Sequence, residues 1–98
     1  MYARVVKWEG GDGDAIRASA AEMASRASSG GPPEGVPATG FLLLADPDQG
    51  RTFAIAFFET EDDMRTGDAA LNAMSPPGEG LGARALVEMY EVMIDVKV

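Results

Sequence analysis

Alternating side chains mark the start of the chain as a β-strand. Two sets of side chains alternate over residues 2–8, which is the period of two expected of a strand. A glycine-rich turn at 10–13 follows. One face of this predicted strand carries Tyr2, Arg4, Val6 and Trp8.

A helical period follows the turn. Small and apolar residues recur at intervals of three and four over 16–27, with charged residues on the other side, which predicts an amphipathic helix. Asp12 or Asp14 can cap its first turn. The segment 28–37 combines prolines with glycines and cannot continue a helix, so it predicts a loop, either a connector or a lid.

Two apolar runs at 41–45 and 52–58 flank turn-forming residues and predict a β-hairpin. Alternation gives the second strand two faces. The more apolar face, which we expect to contact the helices, carries Phe53, Ile55 and Phe57. The other face, which we expect on the opposite side of the sheet, carries Thr52, Ala54, Ala56 and Phe58.

The second half of the chain predicts a helix and a final strand. Thr60 precedes three acidic residues, a pattern that caps a helix and suits the positive end of its dipole. The apolar stripe of this helix consists of Met64, Leu71 and Met74. A loop rich in Pro and Gly at 75–82 ends it, and the run 84–98 predicts one long or bent strand.

The predicted order βαββαβ indicates an α+β, ferredoxin-like fold in which two helices cover one face of a four-stranded antiparallel sheet. The chain has 98 residues, enough for one core, so we expect a single domain over 1–98. The bare face of the sheet would expose Phe41 and Leu43 or their neighbours. Such a patch is larger than a monomer usually exposes, so we expect another surface to cover it.

Composition removes several classes of chemistry. The chain has no Cys and no His, which excludes thiol nucleophiles, disulfides, His-based triads and imidazole or thiolate ligation of zinc or haem. Its net charge of −8 and scattered basic residues argue against nucleic acid as a partner. No apolar run is long enough for a membrane span and no export signal is evident, so we expect a cytoplasmic protein. The richness in Ala and Arg is typical of bacterial genomes with high GC content.

Three segments resemble the dimeric α/β-barrel superfamily, in particular its antibiotic-biosynthesis-monooxygenase-like group. They are VVKW (5–8), FAIAFFETEDDMRTGDAALNAM (53–74) and VEMYEVMIDV (87–96). The resemblance implies a homodimer in which two ferredoxin-like subunits pack sheet against sheet, each terminal strand reaching toward the partner. Members of the superfamily carry out cofactor-independent quinone-forming oxygenation, haem degradation, lactone isomerisation or aldoxime dehydration, and many have no known function.

The chain departs from the catalytic patterns of these families. The quinone-forming members carry an Asn and a Trp where this chain has Ala54 and Phe58. The haem-degrading members need a His for the iron and an Asn on the first strand, where this chain has no His and carries Arg4. We therefore expect the fold of the superfamily without the quinone-forming or haem-degrading activity, and we expect no cofactor. No metal site is expected either, because the acidic run 59–63 is accounted for as a helix start.

The resemblance and the strand parity together predict a ligand site inside the barrel. A Trp, a Tyr and an Arg in a concave apolar space suit a planar anionic ligand, through ring stacking and a bidentate donor. The candidate ligand-binding residues are Arg4, Trp8, Tyr2, Phe58, Glu88 and Tyr90. Two structural alternatives stay open: Trp8 packs in an interface, and Arg4 pairs with Glu88 across neighbouring strands.

Three functions remain compatible with the sequence. The first is a homodimer of unassigned activity that binds a small aromatic or acidic metabolite. The second is a cofactor-independent monooxygenase acting on a phenolic or polyketide-like substrate, with Arg4 stabilising the phenolate and Tyr90 or Tyr2 positioning it. The third is an interaction module whose acidic surface docks a basic partner.

Overall fold

Six regular elements follow one another in the computed structural model, which describes residues 1–73 and 81–98. They are β1 (Tyr2–Gly10), α1 (Gly13–Gly30), β2 (Gly40–Asp46), β3 (Arg51–Phe58), α2 (Glu61–Ala73) and β4 (Gly82–Glu91). All strand pairs are antiparallel. The element order and the four-stranded sheet confirm the predicted ferredoxin-like α+β fold.

Strand β1 lies inside the sheet. The strand order is β2-β3-β1-β4, so β1 pairs with β3 on one side and with β4 on the other. Arg4 accordingly lies between Ala56 of β3 and Met89 of β4. The pairing with β4 shifts between Lys7 and Trp8, where an irregularity of the β-bulge type interrupts the ladder.

Side-chain caps begin both helices, as the sequence predicts. A carboxylate oxygen of Asp12 accepts a hydrogen bond from the backbone N–H of Ala15 at 3.0 Å. Thr60 Oγ1 accepts one from the backbone N–H of Asp63 at 3.1 Å. These bonds satisfy N–H groups that have no partner inside the helix, and they fix where each helix begins.

Helix α1 extends past its predicted end at Ala27 and stops at Gly30. Ser28 and Ser29 remain helical, and their hydroxyls donate hydrogen bonds to backbone carbonyls one turn earlier. Gly31, with a φ of 69°, then ends the helix. The loop between α1 and β2 is therefore shorter than the sequence predicts.

The helices cover the side of the sheet opposite to the one predicted. Two clusters of buried residues join helices, strands and loops there: Val6, Trp8, Ile16, Ala54 and Leu81, and Val36, Ala56, Phe58 and Met64. The prediction that the helices contact Phe53, Ile55 and Phe57 is therefore wrong. Both faces of β3 are apolar, and the helices lie over the face whose small side chains at 54 and 56 permit close approach.

The same correction applies to β1. Its residues that pair with the helix-facing residues of β3 are Tyr2, Arg4, Val6 and Trp8. Directly paired residues share a face of the sheet. These four side chains therefore lie on the helix side, between sheet and helices, and not on the bare side where the sequence analysis placed them.

The bare side of the sheet, called the open face below, is largely apolar. It includes Ala3, Val5, Lys7, Leu42, Leu44, Phe53, Ile55, Phe57, Leu86, Glu88 and Tyr90, with the ion pair of Arg51 and Asp46 at the hairpin end. Leu42 and Leu44 are each 49% exposed. The sequence analysis expected Phe41 and Leu43 or their neighbours on this face. The neighbours are there, whereas Phe41 and Leu43 lie on the helix side.

The chain leaves the sheet after Glu91, so the prediction of one strand over 84–98 is only partly correct. Residues 92–98 follow without regular structure, tied by a hydrogen bond of 2.9 Å from the Val92 N–H to the Met1 carbonyl. Met74 and most of the predicted loop 75–82 fall outside the described residues. Within the described part of the chain, neither helix is long and apolar enough to cross a membrane.

Candidate functional site

Arg4 places a buried cation on the helix side of β1. It is 5% exposed. Its Nε donates to Asp68 Oδ1 at 2.8 Å and its Nη2 donates to Asn72 Oδ1 at 3.0 Å. Asp68 and Asn72 stand one turn apart on α2 and so share a face of that helix. The guanidinium therefore joins the centre of the sheet to α2 through a charged and a neutral acceptor.

A second arginine reaches the same amide from the edge strand. Arg84 of β4 donates from Nη1 to Asn72 Oδ1 at 3.0 Å. The arginine cluster, defined as Arg4, Arg84, Asp68 and Asn72, thus holds two guanidinium groups and one carboxylate. One positive charge is left uncompensated within the cluster, although the whole chain carries a net charge of −8.

Arg84 was not predicted from the sequence. Its position opposite Trp8, on the same face as Arg4, is visible only in the strand register of the structure. The irregularity between Lys7 and Trp8 shifts the pairing, so simple alternation counted back from Tyr90 does not place Arg84 on the helix side. Asn72 and Asp68 could not be predicted as partners of Arg4 either, because they contact it only through tertiary packing.

The arginine cluster is open to solvent along the edge strand. Arg84 and Asn72 are exposed, and Met89, the β4 neighbour of Arg4, is 46% exposed. Arg4 lies deeper, and Asp68 is half-buried. A small molecule could therefore reach the guanidinium groups from the β4 side, with the thioether of Met89 as an apolar contact.

Trp8 belongs to the core. It is 6% exposed and packs with Val6, Ile16 and Leu81. Its indole Nε1 has no hydrogen-bond partner in the described part of the chain, and neither does Oγ1 of Thr52, its pairing partner on β3. The alternative placed Trp8 in an interface, whereas the structure buries it in the core beneath the helices.

Tyr2 and Phe58 also lie on the helix side. Phe58 is fully buried in a cluster with Val36, Ala56 and Met64, and the half-buried Tyr2 packs against that cluster. Their position in this cluster follows from the direct pairing of Tyr2 with Phe58. Phe58 is a packing residue here, while Tyr2 retains some exposure.

Glu88 and Tyr90 lie on the open face, across the sheet from Arg4. The six candidate residues therefore do not converge on one site. The alternative pairing of Arg4 with Glu88 is not made, because Glu88 lies opposite Val5 while Asp68 takes the Arg4 guanidinium. A hydrogen bond with Glu88 raises the pKa of Tyr90 above its usual value.

The open face also carries a charged pair at its β1 end. Lys7 Nζ lies 2.8 Å from Glu9 Oε1 and 5.7 Å from the centre of the Phe53 ring. The hydrogen bond from Lys7, with its positive charge, lowers the pKa of Glu9 from 4.5. Lys7 is thus held across an aromatic surface by its carboxylate neighbour.

The residues between α2 and the sheet do not fit haem. The chain offers neither imidazole nor thiolate as an iron ligand. At Gly67 the helix approaches so closely that a Cβ atom would lie 2.5 Å from Phe58 Cε1. In the described residues, no group of three or more acidic, His or Cys side chains could hold a metal ion.

No protein-family model and no curated protein matches the chain. Among solved structures, it is similar to MhuD, a haem degrader from Mycobacterium tuberculosis with two haems bound in its active site. The TM-score is 0.63 and the identity 17%, over 99% of this chain and 100% of that chain. An arginine-to-serine mutant of MhuD, with two manganese protoporphyrin IX molecules bound per active site, gives a TM-score of 0.63 at 19% identity, with 100% of both chains covered. At these identities the likenesses show the fold alone: the chain shares the ferredoxin-like fold of MhuD.

Proposed function

We propose that this chain is a small cytoplasmic protein that forms a homodimer through the open face and binds a small aromatic or acidic molecule at the arginine cluster. The observation that carries the binding proposal is the buried Arg4 guanidinium, which has more N–H donors than its contacts with Asp68 and Asn72 use. An acidic group that reaches the remaining donors would make charge-assisted hydrogen bonds with the guanidinium.

The structural neighbours support a small-molecule role. MhuD binds haem or manganese protoporphyrin on the same fold. In this chain the close contact between Gly67 and Phe58 and the lack of His and Cys argue against porphyrin. We therefore propose a smaller ligand that reaches Arg4 from the β4 edge, beside the exposed Met89.

The open face supports a second copy of the chain as the dimer partner. It is apolar across three strands, and its charged groups include both signs, among them Lys7, which pairs with Glu9, and Glu88. A two-fold axis places the same patch on both subunits, so a face that carries groups of both signs can complement itself. Burial of this face would remove the exposure of Leu42 and Leu44.

Ligand binding is tested by titrating benzoate, phenol and benzamide into the protein and following calorimetric heat. Replacing Arg4 and Asp68 together, as Arg4→Met with Asp68→Asn, removes the buried cation without leaving its carboxylate unpaired. We expect this double variant to lose binding and Arg65→Gln, an exposed change on the same helix, to retain it. Equal binding by the double variant would contradict a site at Arg4.

A monooxygenase acting on an activated phenol is the second candidate. The observation that favours it is again the buried Arg4 guanidinium, which can stabilise the phenolate form of a substrate. The carbanion form of that same anion then gives electrons to oxygen. The test is oxygen uptake with anthrone-type substrates. Uptake that is unchanged in the Arg4→Met, Asp68→Asn variant would reject this role.

A further inference from the structure

We propose that Arg4 and Arg84 together bind the carboxylate of a small monoanionic ligand, and that Asn72 Oδ1 holds the place of a ligand oxygen in the free protein. This inference rests on the proposed ligand-binding function, and it names both the chemical class of the ligand and a second binding residue. Arg84 was not among the residues that strand alternation indicated.

The observation that supports this inference is that two guanidinium groups donate to the same neutral oxygen atom. Nη2 of Arg4 and Nη1 of Arg84 each lie 3.0 Å from Asn72 Oδ1. The two nitrogens are therefore within twice that distance of each other. Like charges this close repel, and an anion placed between them would offset that repulsion. Here the bridging atom is an amide oxygen, which carries only a partial negative charge.

Asp68, the one carboxylate of the cluster, contacts one of the two arginines. Asp68 Oδ1 accepts from Arg4 Nε, and among the described residues Asp68 makes no ion pair with Arg84. Arg84 therefore has Asn72 as its hydrogen-bond partner in that part of the chain. The hydrogen bonds within residues 1–73 and 81–98 leave N–H donors of both guanidinium groups unused, and a second acceptor can use them.

The charge of the arginine cluster indicates the chemical class of the ligand. Among the described residues the cluster has two guanidinium groups and one carboxylate, so a monoanion neutralises it. A dianion would leave excess negative charge beside Asp68 in a chain whose net charge is already −8. A carboxylate also offers two oxygens in one plane, which suits donors from two guanidinium groups.

Access and apolar contact favour a carboxylate attached to a ring or short chain. Arg84 and Asn72 are exposed, so the Asn72 side chain can rotate away without disturbing the core. Met89, the β4 neighbour of Arg4, is 46% exposed and presents a flexible apolar surface next to the guanidinium. The ligand would thus bind by its acid group at the arginines and by its apolar body along β4.

The geometry makes Asn72→Asp a direct test. This change places a carboxylate where the amide oxygen bridges the two arginines. We expect Asn72→Asp to be more thermally stable than the wild type and to bind no ligand carboxylate, because the site then holds its own anion. If Asn72→Asp is no more stable than the wild type, the cluster does not lack a negative charge and the proposal is overturned.

The second test compares benzoate with its neutral analogue benzamide at fixed ionic strength, using calorimetry on the wild type, Arg84→Gln and Arg65→Gln. Arg65 is exposed on α2 and pairs with Glu61, so it controls for net charge. We expect the wild type and Arg65→Gln to bind benzoate more tightly than benzamide, and Arg84→Gln to bind benzoate at least about tenfold more weakly.

The outcomes separate the two proposals. Equal binding of benzoate and benzamide by the wild type, unchanged in Arg84→Gln, would retain aromatic binding and overturn the carboxylate site. Binding of neither compound would overturn the ligand-binding proposal at this cluster together with the inference. A benzoate preference that persists in Arg84→Gln would assign the carboxylate to Arg4 alone.

Discussion

Gly67 of α2 lies directly against the ring of Phe58 on β3. A Cβ atom at Gly67 would stand 2.5 Å from Phe58 Cε1 and 2.7 Å from Cζ. Phe58 is fully buried, so its ring has no free space to move into. The absence of a side chain at this position thus sets how closely the helix approaches the sheet, and with it the height of Asp68 and Asn72 above Arg4.

Gly67→Ala tests this contact. In an exposed helix position alanine gains about 1 kcal/mol over glycine, but overpacking here costs about 1–3 kcal/mol. We expect the free energy of unfolding, measured by urea denaturation, to fall by about 1 kcal/mol. The same change in a Phe58→Leu background should cost less, since the smaller side chain relieves the contact. A stabilised Gly67→Ala protein would contradict this account.

Thr52→Val is expected to stabilise the protein by about 1 kcal/mol, because a buried hydroxyl without a partner costs about that much. Thr52 is fully buried, and its Oγ1 has no partner among the residues described. Valine keeps the shape and the branched side chain that strands favour. Chemical denaturation measures the change. Thr39→Val is the control, because the Thr39 hydroxyl does donate, to the Phe57 carbonyl at 3.3 Å, and should show no gain. Loss of stability in Thr52→Val would mean that the hydroxyl is hydrogen-bonded.

The pKa of Glu9 depends on Lys7, so Lys7→Gln should raise it back toward 4.5. A carboxyl whose pKa is lowered on folding contributes stability above its unfolded pKa and loses that contribution as the pH falls through its folded pKa. The acid side of the stability profile should therefore flatten in Lys7→Gln. Titration of the Glu9 carboxyl carbon by NMR measures the shift. Lys97→Gln, which removes a lysine paired with Asp95, should leave the Glu9 titration unchanged.

A matched pair of substitutions on β2 tests the homodimer. Leu42 and Phe41 are adjacent and about equally exposed, at 49% and 50%, but Leu42 lies on the open face and Phe41 on the helix side. We expect Leu42→Glu to shift the sedimentation coefficient to that of a monomer, since it would bury a charge in the interface. Phe41→Glu should remain dimeric. A wild-type protein that sediments as a monomer at micromolar concentration would reject the dimer.

The order of elements could be predicted because the signals that define it are local. Asp12 and Thr60 act as caps through residues three positions away, and glycines and prolines mark the turns. The serines at 28 and 29 misled the prediction of the helix end, since their side chains can support either a helix or a loop.

The faces of the strands could not be predicted by apolar count. Phe53, Ile55 and Phe57 make one side of β3 more apolar, but the helices lie on the side with Ala54 and Ala56, where small side chains allow close packing. A sheet with apolar residues on both faces gives no local signal of which face a helix will cover. This choice depends on tertiary packing.

The candidate site was only partly predictable for the same reason. Arg4 was identified because a charge in an apolar strand stands out in the sequence. Its partners Asp68 and Asn72 come from a helix more than sixty residues away, and Arg84 joins them only after the register shift between Lys7 and Trp8. Neither relationship leaves a pattern along the chain.

Alternate residues of β1 serve opposite sides of the sheet, and this makes the strand intolerant of insertions. One residue added directly after Arg4, with the rest of β1 held in place, would turn the Arg4 guanidinium onto the apolar open face. Asp68 would then be left without its cation. Length variation in this protein should therefore be confined to connecting segments such as 31–39, while the spacing from Tyr2 to Trp8 stays fixed.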